Sequence, residues 1–196
     1  MSNQSTLQHP SYMEIPSGQN MSTNAPFSKL KKNKQQVFNQ NALNKGVNLA
    51  MRITEEIKLD LEKLKCFEIV ENQFAHLGLT CCNGIAIQAS NPAFPPGQGE
   101  ISLIKRTINY CLELKFEQPI SSFNCHVTSS RKTILSGYDS KGQLLIRSEI
   151  PQSNLAGSGS QISANAPLGM KASNISRITI DAFDGQLTVT DLSYGF

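Results

Sequence analysis

From about residue 53 onward, apolar and polar positions alternate in short runs separated by turn residues, whereas residues 1 to 46 hold no sustained periodicity. Alternation at a period of two marks half-buried strands, because successive side chains point to opposite faces. The runs read as strands are Ile57 to Leu61, Leu79 to Cys82, Ile85 to Ala89, Ile101 to Lys105, Tyr110 to Phe116, Ser122 to Thr128, Thr133 to Tyr138, Gln143 to Ile150, Gly169 to Ala172, Ile175 to Ala182 and Gln186 to Tyr194. Within them Tyr110, Leu112, Leu114 and Phe116 form one inward stripe, and Phe123, Cys125 and Val127 form another. Strands at this spacing, divided by turns such as Asp139-Ser-Lys-Gly142, predict an all-β fold, an antiparallel jelly-roll β-sandwich.

One position breaks the pattern. Ile178 and Ile180 share a face, the chain turns at Asp184-Gly185, and Leu187, Val189 and Asp191 then share a face. A carboxylate in an apolar register is expensive to bury alone, so Asp191 has to be paired, ligate a cation, or mark a bulge. Leu192, Tyr194 and Phe196 resume the alternation on the opposite parity, which favours a bulge or kink, with the carboxylate satisfied by backbone or an arginine, or else by a cation.

Residues 1 to 46 are rich in Asn, Gln, Ser and Lys and poor in large apolar side chains, the composition of a flexible arm that cannot offset its ordering entropy alone. Lys34 to Met51 reads as a short helix interrupted by Gly46. The net charge of +3 conceals an asymmetry: residues 1 to 52 hold six basic side chains against Glu14, and the remaining twelve basic and fourteen acidic ones leave 53 to 196 slightly acidic. The lysines from Lys29 to Lys34 have no interleaved aromatic residues, so they read as a solvated tail and not as a nucleic-acid platform. No stretch reaches the roughly 18 apolar residues of a membrane span, and no basic start with an apolar core opens the chain, so a cytoplasmic location is expected.

The five cysteines, Cys66, Cys81, Cys82, Cys111 and Cys125, are odd in number and include no CxxC pair, so neither a disulfide framework nor a zinc ribbon is indicated. His9, His76 and His126 are scattered, and His126 beside Asp139 is the best base that the residue types offer. A sugar presents an apolar face and a rim of hydroxyls, so a glycan site combines an aromatic platform with amides and carboxylates. The chain has no Trp, and its best loop for the purpose is Asn91 to Glu100, where prolines stiffen the backbone. Asn91, Phe94, Gln98 and Glu100 are the candidate ligand-binding residues, with Phe94 either presenting its ring or packing inward. The Ser-rich loop Asn154 to Gln161 is flexible on this reading and is no P-loop, since no Gly-Lys-Ser/Thr follows it.

Five short motifs in order, Ile57-Lys-Leu-Asp60-Leu-Glu62-Lys-Leu, Glu68 to Thr80, Ser90-Asn-Pro-Ala-Phe94, Ser136 to Gly142 and Thr190-Asp191-Leu-Ser-Tyr-Gly, resemble a bacterial jelly-roll family common in cyanobacteria and among exported PEP-CTERM-type proteins. The resemblance implies a sandwich similar to galactose-binding-like and carbohydrate-binding modules, with a structural calcium where the first strand meets the last. Asp60 or Glu62 and Asp191 are the ligands it implies, carboxylate oxygens being what a hard cation requires. Leu61 stands where the family has an aromatic residue, and Thr190 where it has one acid of a terminal pair.

The leading expectation is therefore a non-catalytic module that binds a glycan or similar polar ligand, stabilised by calcium. The alternative is an assembly subunit whose arm docks on neighbouring chains of its own or another kind. A lyase or cyclase on the same fold comes third, since fold does not determine function.

Overall fold

The computed structural model describes residues 56–196, so the predicted arm, its helix over Lys34 to Met51 and the domain start at 53 lie outside the described residues. Ten strands form the described part: β1 (Glu56–Lys58), β2 (Ile69–Val70), β3 (Leu79–Cys82), β4 (Gly84–Gln88), β5 (Ile101–Lys105), β6 (Leu112–Ser129), β7 (Thr133–Tyr138), β8 (Leu144–Ile150), β9 (Ala166–Asp181) and β10 (Leu187–Gly195). Every pairing among them is antiparallel.

Two long strands make the sandwich. The ladder between β6 and β9 shifts register between Lys115 and Ile120 and again between Ile120 and Ser122, so each strand has two halves with different neighbours. Leu112 to Lys115 pair with β3 on one side and with the Arg177 to Ile180 stretch of β9 on the other, and β7 and β8 extend that layer. Ser122 to Ser129 pair with β10 in place of β3 and keep the start of β9, Ala166 to Lys171, on the other side; beyond β10 come β5, β4 and β2, while β1 joins the C-terminal part of β10. β6 and β9 therefore bend from one layer into the other. The periodicity reads each as two strands because Pro119 interrupts the first, and Asn174, at φ +66°, the second.

The predicted stripes are the core: Leu112, Leu114, Phe123, Cys125, Val127, Ile178 and Ile180 are all fully buried. Tyr110 is an exception, exposed in the loop before β6. Fully burying one such aliphatic or aromatic side chain contributes about 1.5–3 kcal/mol. Tyr194 adds a polar handle, its ring packed 5.1 Å from Phe116 and its hydroxyl donating to the Leu77 carbonyl.

The outer face of the β5–β10–β6 layer is also covered. Ser102, Thr128, Thr188 and Thr190 alternate with the core residues and so point outward, yet they are buried. The long β4–β5 loop and the β8–β9 loop lie over them. Asn165 joins these two loops and that face, its amide donating to the carbonyls of Pro95 and Pro96 while its Oδ1 accepts from the Thr128 hydroxyl at 3.0 Å. The Ser-rich loop is held at one end by Asn154, which is fully buried. Among the described residues no helix is long and apolar enough to cross a membrane.

Candidate functional site

The candidate residues of the β4–β5 loop separate into different roles. Asn91 forms the turn that aims Phe94: its carbonyl accepts from the Phe94 N–H at 2.9 Å and its Oδ1 from the Ala93 N–H at 3.0 Å. Phe94 packs inward, 7% exposed. Glu100 accepts from the Gln88 amide at 2.9 Å. The Gln98 N–H points toward Asp191 Oδ2 at 3.4 Å.

The three carboxylates expected to hold calcium do not gather into one ligand set, and among the described residues no three His, Cys, Asp or Glu side chains do. Asp60 is exposed and lies 3.4 Å from Lys63. Glu62 Oε1 accepts the Ile101 N–H at 3.0 Å, and Asp191 Oδ2 takes contacts from Gln98 N–H, Thr190 Oγ1 and His126 Nδ1. Glu62 and Asp191 thus hold the two ends of the 98–101 segment through its own backbone donors. The glycines of Pro95-Pro-Gly97-Gln-Gly99 make the approach possible. A Cβ on Gly99 would sit 2.1 Å from Glu62 Oε1, and one on Gly97 would sit 2.7 Å from Asp191 Oδ2.

The bulge foreseen at Asp191 is present. The β10–β6 register shifts between Thr190 and Ser193, and Asp191 occupies the left-handed region at φ +52°. Its partner is His126, which the ladder places opposite Thr190, with Nδ1 3.2 Å from Asp191 Oδ2 but off the line of an aligned hydrogen bond. Asp139, the partner weighed for His126 from sequence, caps its own turn by accepting the Lys141 and Gln143 N–H groups at 2.9 and 2.8 Å. Asp191→Ala removes three contacts and leaves a Cβ residue at positive φ, so it is expected to destabilise the domain by about 2–3 kcal/mol. The loss in melting temperature is expected to be the same with calcium and with chelator. A loss confined to the calcium buffer would assign an ion to this carboxylate.

Beside the candidate loop lies a cleft of about 420 Å³ bounded by Phe94, the outer residues Ile87 and Ile104, and Leu187 and Thr188 at the start of β10. Phe67 and Ile108 stand at its rim, 74% and 61% exposed. Gln88, Asn91 and Gln186 bring amides to it. Thr188 Oγ1 is buried without a hydrogen-bond partner among the described residues. Lys105 braces the rim, its ammonium satisfied by Asp181 Oδ1, the Ala182 carbonyl and the Ile108 carbonyl at 3.0, 3.0 and 3.2 Å.

Phe67 is the residue that periodicity misses, because it lies in a tight turn and not in a strand. The turn closes with the Glu68 N–H on the Lys65 carbonyl, and Phe67 occupies it at φ +68°, a conformation costly for a bulky side chain. Its own N–H donates to the Ala86 carbonyl at 2.7 Å, which ties the turn to β4. The sequence signal available was a large aromatic residue outside any alternating run.

All five cysteines are free thiols. Cys81 and Cys82 point to opposite faces as expected, and burial pushes the Cys81 thiol up to about 12. Burial raises Cys125 further still. Since the thiolate is the reactive form, alkylation at neutral pH followed by mass spectrometry is expected to label exposed Cys66 first and to leave Cys81 and Cys125 unlabelled until the domain unfolds.

No protein-family model matches this chain, and no curated protein matches it. Among solved structures it is similar to the carbohydrate-binding module TmCBM61, solved with beta-1,4-galactotriose, at 12% identity and a TM-score of 0.35, over 68% of this chain and 99% of that one. It is also similar to the enzymatically active domain of bacteriophage CBA120 tailspike protein 4, at 13% identity and a TM-score of 0.34, over 64% of this chain and 20% of that one. Likeness this low decides nothing about this chain, whose β-sandwich is read from its own ladders. The PEP-CTERM resemblance of the short motifs has no counterpart in either.

Proposed function

We propose that the domain is a non-catalytic binding module that takes a polar ligand with one apolar face, of the glycan class, in the cleft between Phe67 and the β4–β5 loop. The observation that carries this reading is the strained, outward presentation of the Phe67 ring over a concavity supplied with three amides. An exposed aromatic held at positive φ costs stability and contributes little packing, which is a pattern characteristic of ligand-contacting positions. Gln88, Asn91 and Gln186 offer donors and acceptors to hydroxyls.

The cleft lining includes no carboxylate, histidine or cysteine, so an acid–base pair or thiol nucleophile is not supplied there. That favours binding over the lyase or cyclase alternative. Docking through residues 1 to 46 concerns residues outside those described and has its own test, comparison of the full chain with one lacking them. The binding reading is tested by screening the full-length protein against an oligosaccharide panel and titrating the hits by calorimetry. Binding that is lost in Phe67→Ala supports it, and binding indifferent to Phe67, or no binding at all, removes it.

A further inference from the structure

We propose that β8 pairs antiparallel with β8 of a second copy of this chain, Ser148 meeting Ser148 on a two-fold axis. β8 ends its layer: β7 pairs with one side, and among the described residues nothing pairs with the other. A seven-residue open edge presents unpaired backbone donors and acceptors to any extended partner. The unpaired edge of β9 near its start carries Pro167 and Lys171, residues that discourage strand addition, whereas β8 carries Leu144 and Leu145, 45% and 39% exposed.

The sequence of β8 selects both the occupant and the register. Arg147 and Glu149 share the outward face, while Ile146, Ser148 and Ile150 share the face toward the core. Directly opposed residues of an antiparallel pair lie on the same face, so only registers that match like faces are allowed. Pairing Arg147 with Arg147, or Glu149 with Glu149, brings like charges together. The register between these two puts Arg147 of each copy opposite Glu149 of the other, twice, and Ile146 opposite Ile150, twice. A strand complementary to itself in one register is what an isologous two-fold interface requires. Pro151 follows the strand and lacks a donor, which bounds the ladder. Glu149 also lies 2.8 Å from Lys132 of its own chain, an exposed pair that leaves its second oxygen available.

The test is the mass of the full-length chain in solution, by light scattering and sedimentation, for wild type, Arg147→Glu, Glu149→Arg, the double variant, and an equimolar mixture of the two single variants. All substitutions lie on exposed side chains, and circular dichroism checks that each protein is folded. The wild type is expected to dimerise. Each single variant turns two attractive pairs into two repulsive ones and is expected to weaken the dimer by roughly tenfold or more. The double variant and the mixture restore opposite charges across the axis and are expected to recover it. A monomeric wild type overturns the proposal, as does a dimer indifferent to both single reversals, which would then be held elsewhere.

Discussion

Phe67→Gly is expected to weaken ligand binding while making the domain more stable. The ring is 74% exposed, so its removal forfeits little buried surface, and glycine relieves a backbone held at φ +68°. Left-handed backbone costs a residue with a Cβ about 1–2 kcal/mol, and the greater freedom of glycine in the unfolded chain returns part of that. A net gain of about 0.5–1 kcal/mol, a rise of a few degrees in melting temperature, is the expected result of a thermal scan. Removing an aromatic anchor from a binding site typically costs 2 kcal/mol or more, so affinity for any ligand found on the panel is expected to fall roughly thirtyfold. Phe67→Ala separates the two effects: it loses the ring but keeps the strain, so it is expected to bind as poorly as glycine without the gain in stability. Two variants that bind like wild type would detach Phe67 from function.

Asn154→Ala is expected to give the largest loss of stability among single polar substitutions outside the cleft. The side chain is fully buried and saturated: Oδ1 accepts the Ser129 N–H at 2.7 Å, and the amide donates to the carbonyls of Val127 at 2.7 Å and Ser163 at 3.0 Å. Its backbone N–H adds a fourth bond, to the Ser129 carbonyl at 2.9 Å, which alanine keeps. Leaving buried backbone groups without partners costs about 1–3 kcal/mol each, so a total near 3–5 kcal/mol is expected in denaturant titration. Asn154→Asp keeps the volume but turns a carboxylate toward two carbonyls, and it is expected to be at least as damaging. A mild effect of both would mean that the β8–β9 loop is not fastened through this residue.

Alternation was sufficient to place the core because each inward residue of β6, β9 and β10 is buried against another apolar residue, whatever its distance along the chain. It did not reveal that four predicted strands are two, since a register shift at Pro119 or Asn174 looks the same in sequence as a loop. The parity change after Val189 located the bulge at Asp191, but the identity of its partner depends on the ladder that sets His126 beside Thr190, and no local pattern encodes that. Asp191 was legible as unusual from its register and Glu62 only through the family resemblance, yet both meet backbone N–H groups of the 98–101 segment. An N–H donor leaves no trace in residue type. Phe94 and Asn91 were singled out because prolines and a turn residue announce a rigid loop, whereas Phe67 was hidden by lying in a turn without glycine.

The position of β10 has a bearing on how the protein comes to exist. Its residues 187–195 lie between β5 and β6 and also carry β1, so the layer that holds the cleft has no middle until they are in place. During synthesis, β4 and β5 emerge long before the strand that joins them to β6, and must wait with one edge open. The pairings that close the layer link residues about 60 to 140 positions apart in sequence, the kind of contact that folds slowly because loop closure precedes any gain. The cleft is therefore assembled only after the chain has been made through Gly195, and a nascent chain halted earlier holds its sites as separate pieces.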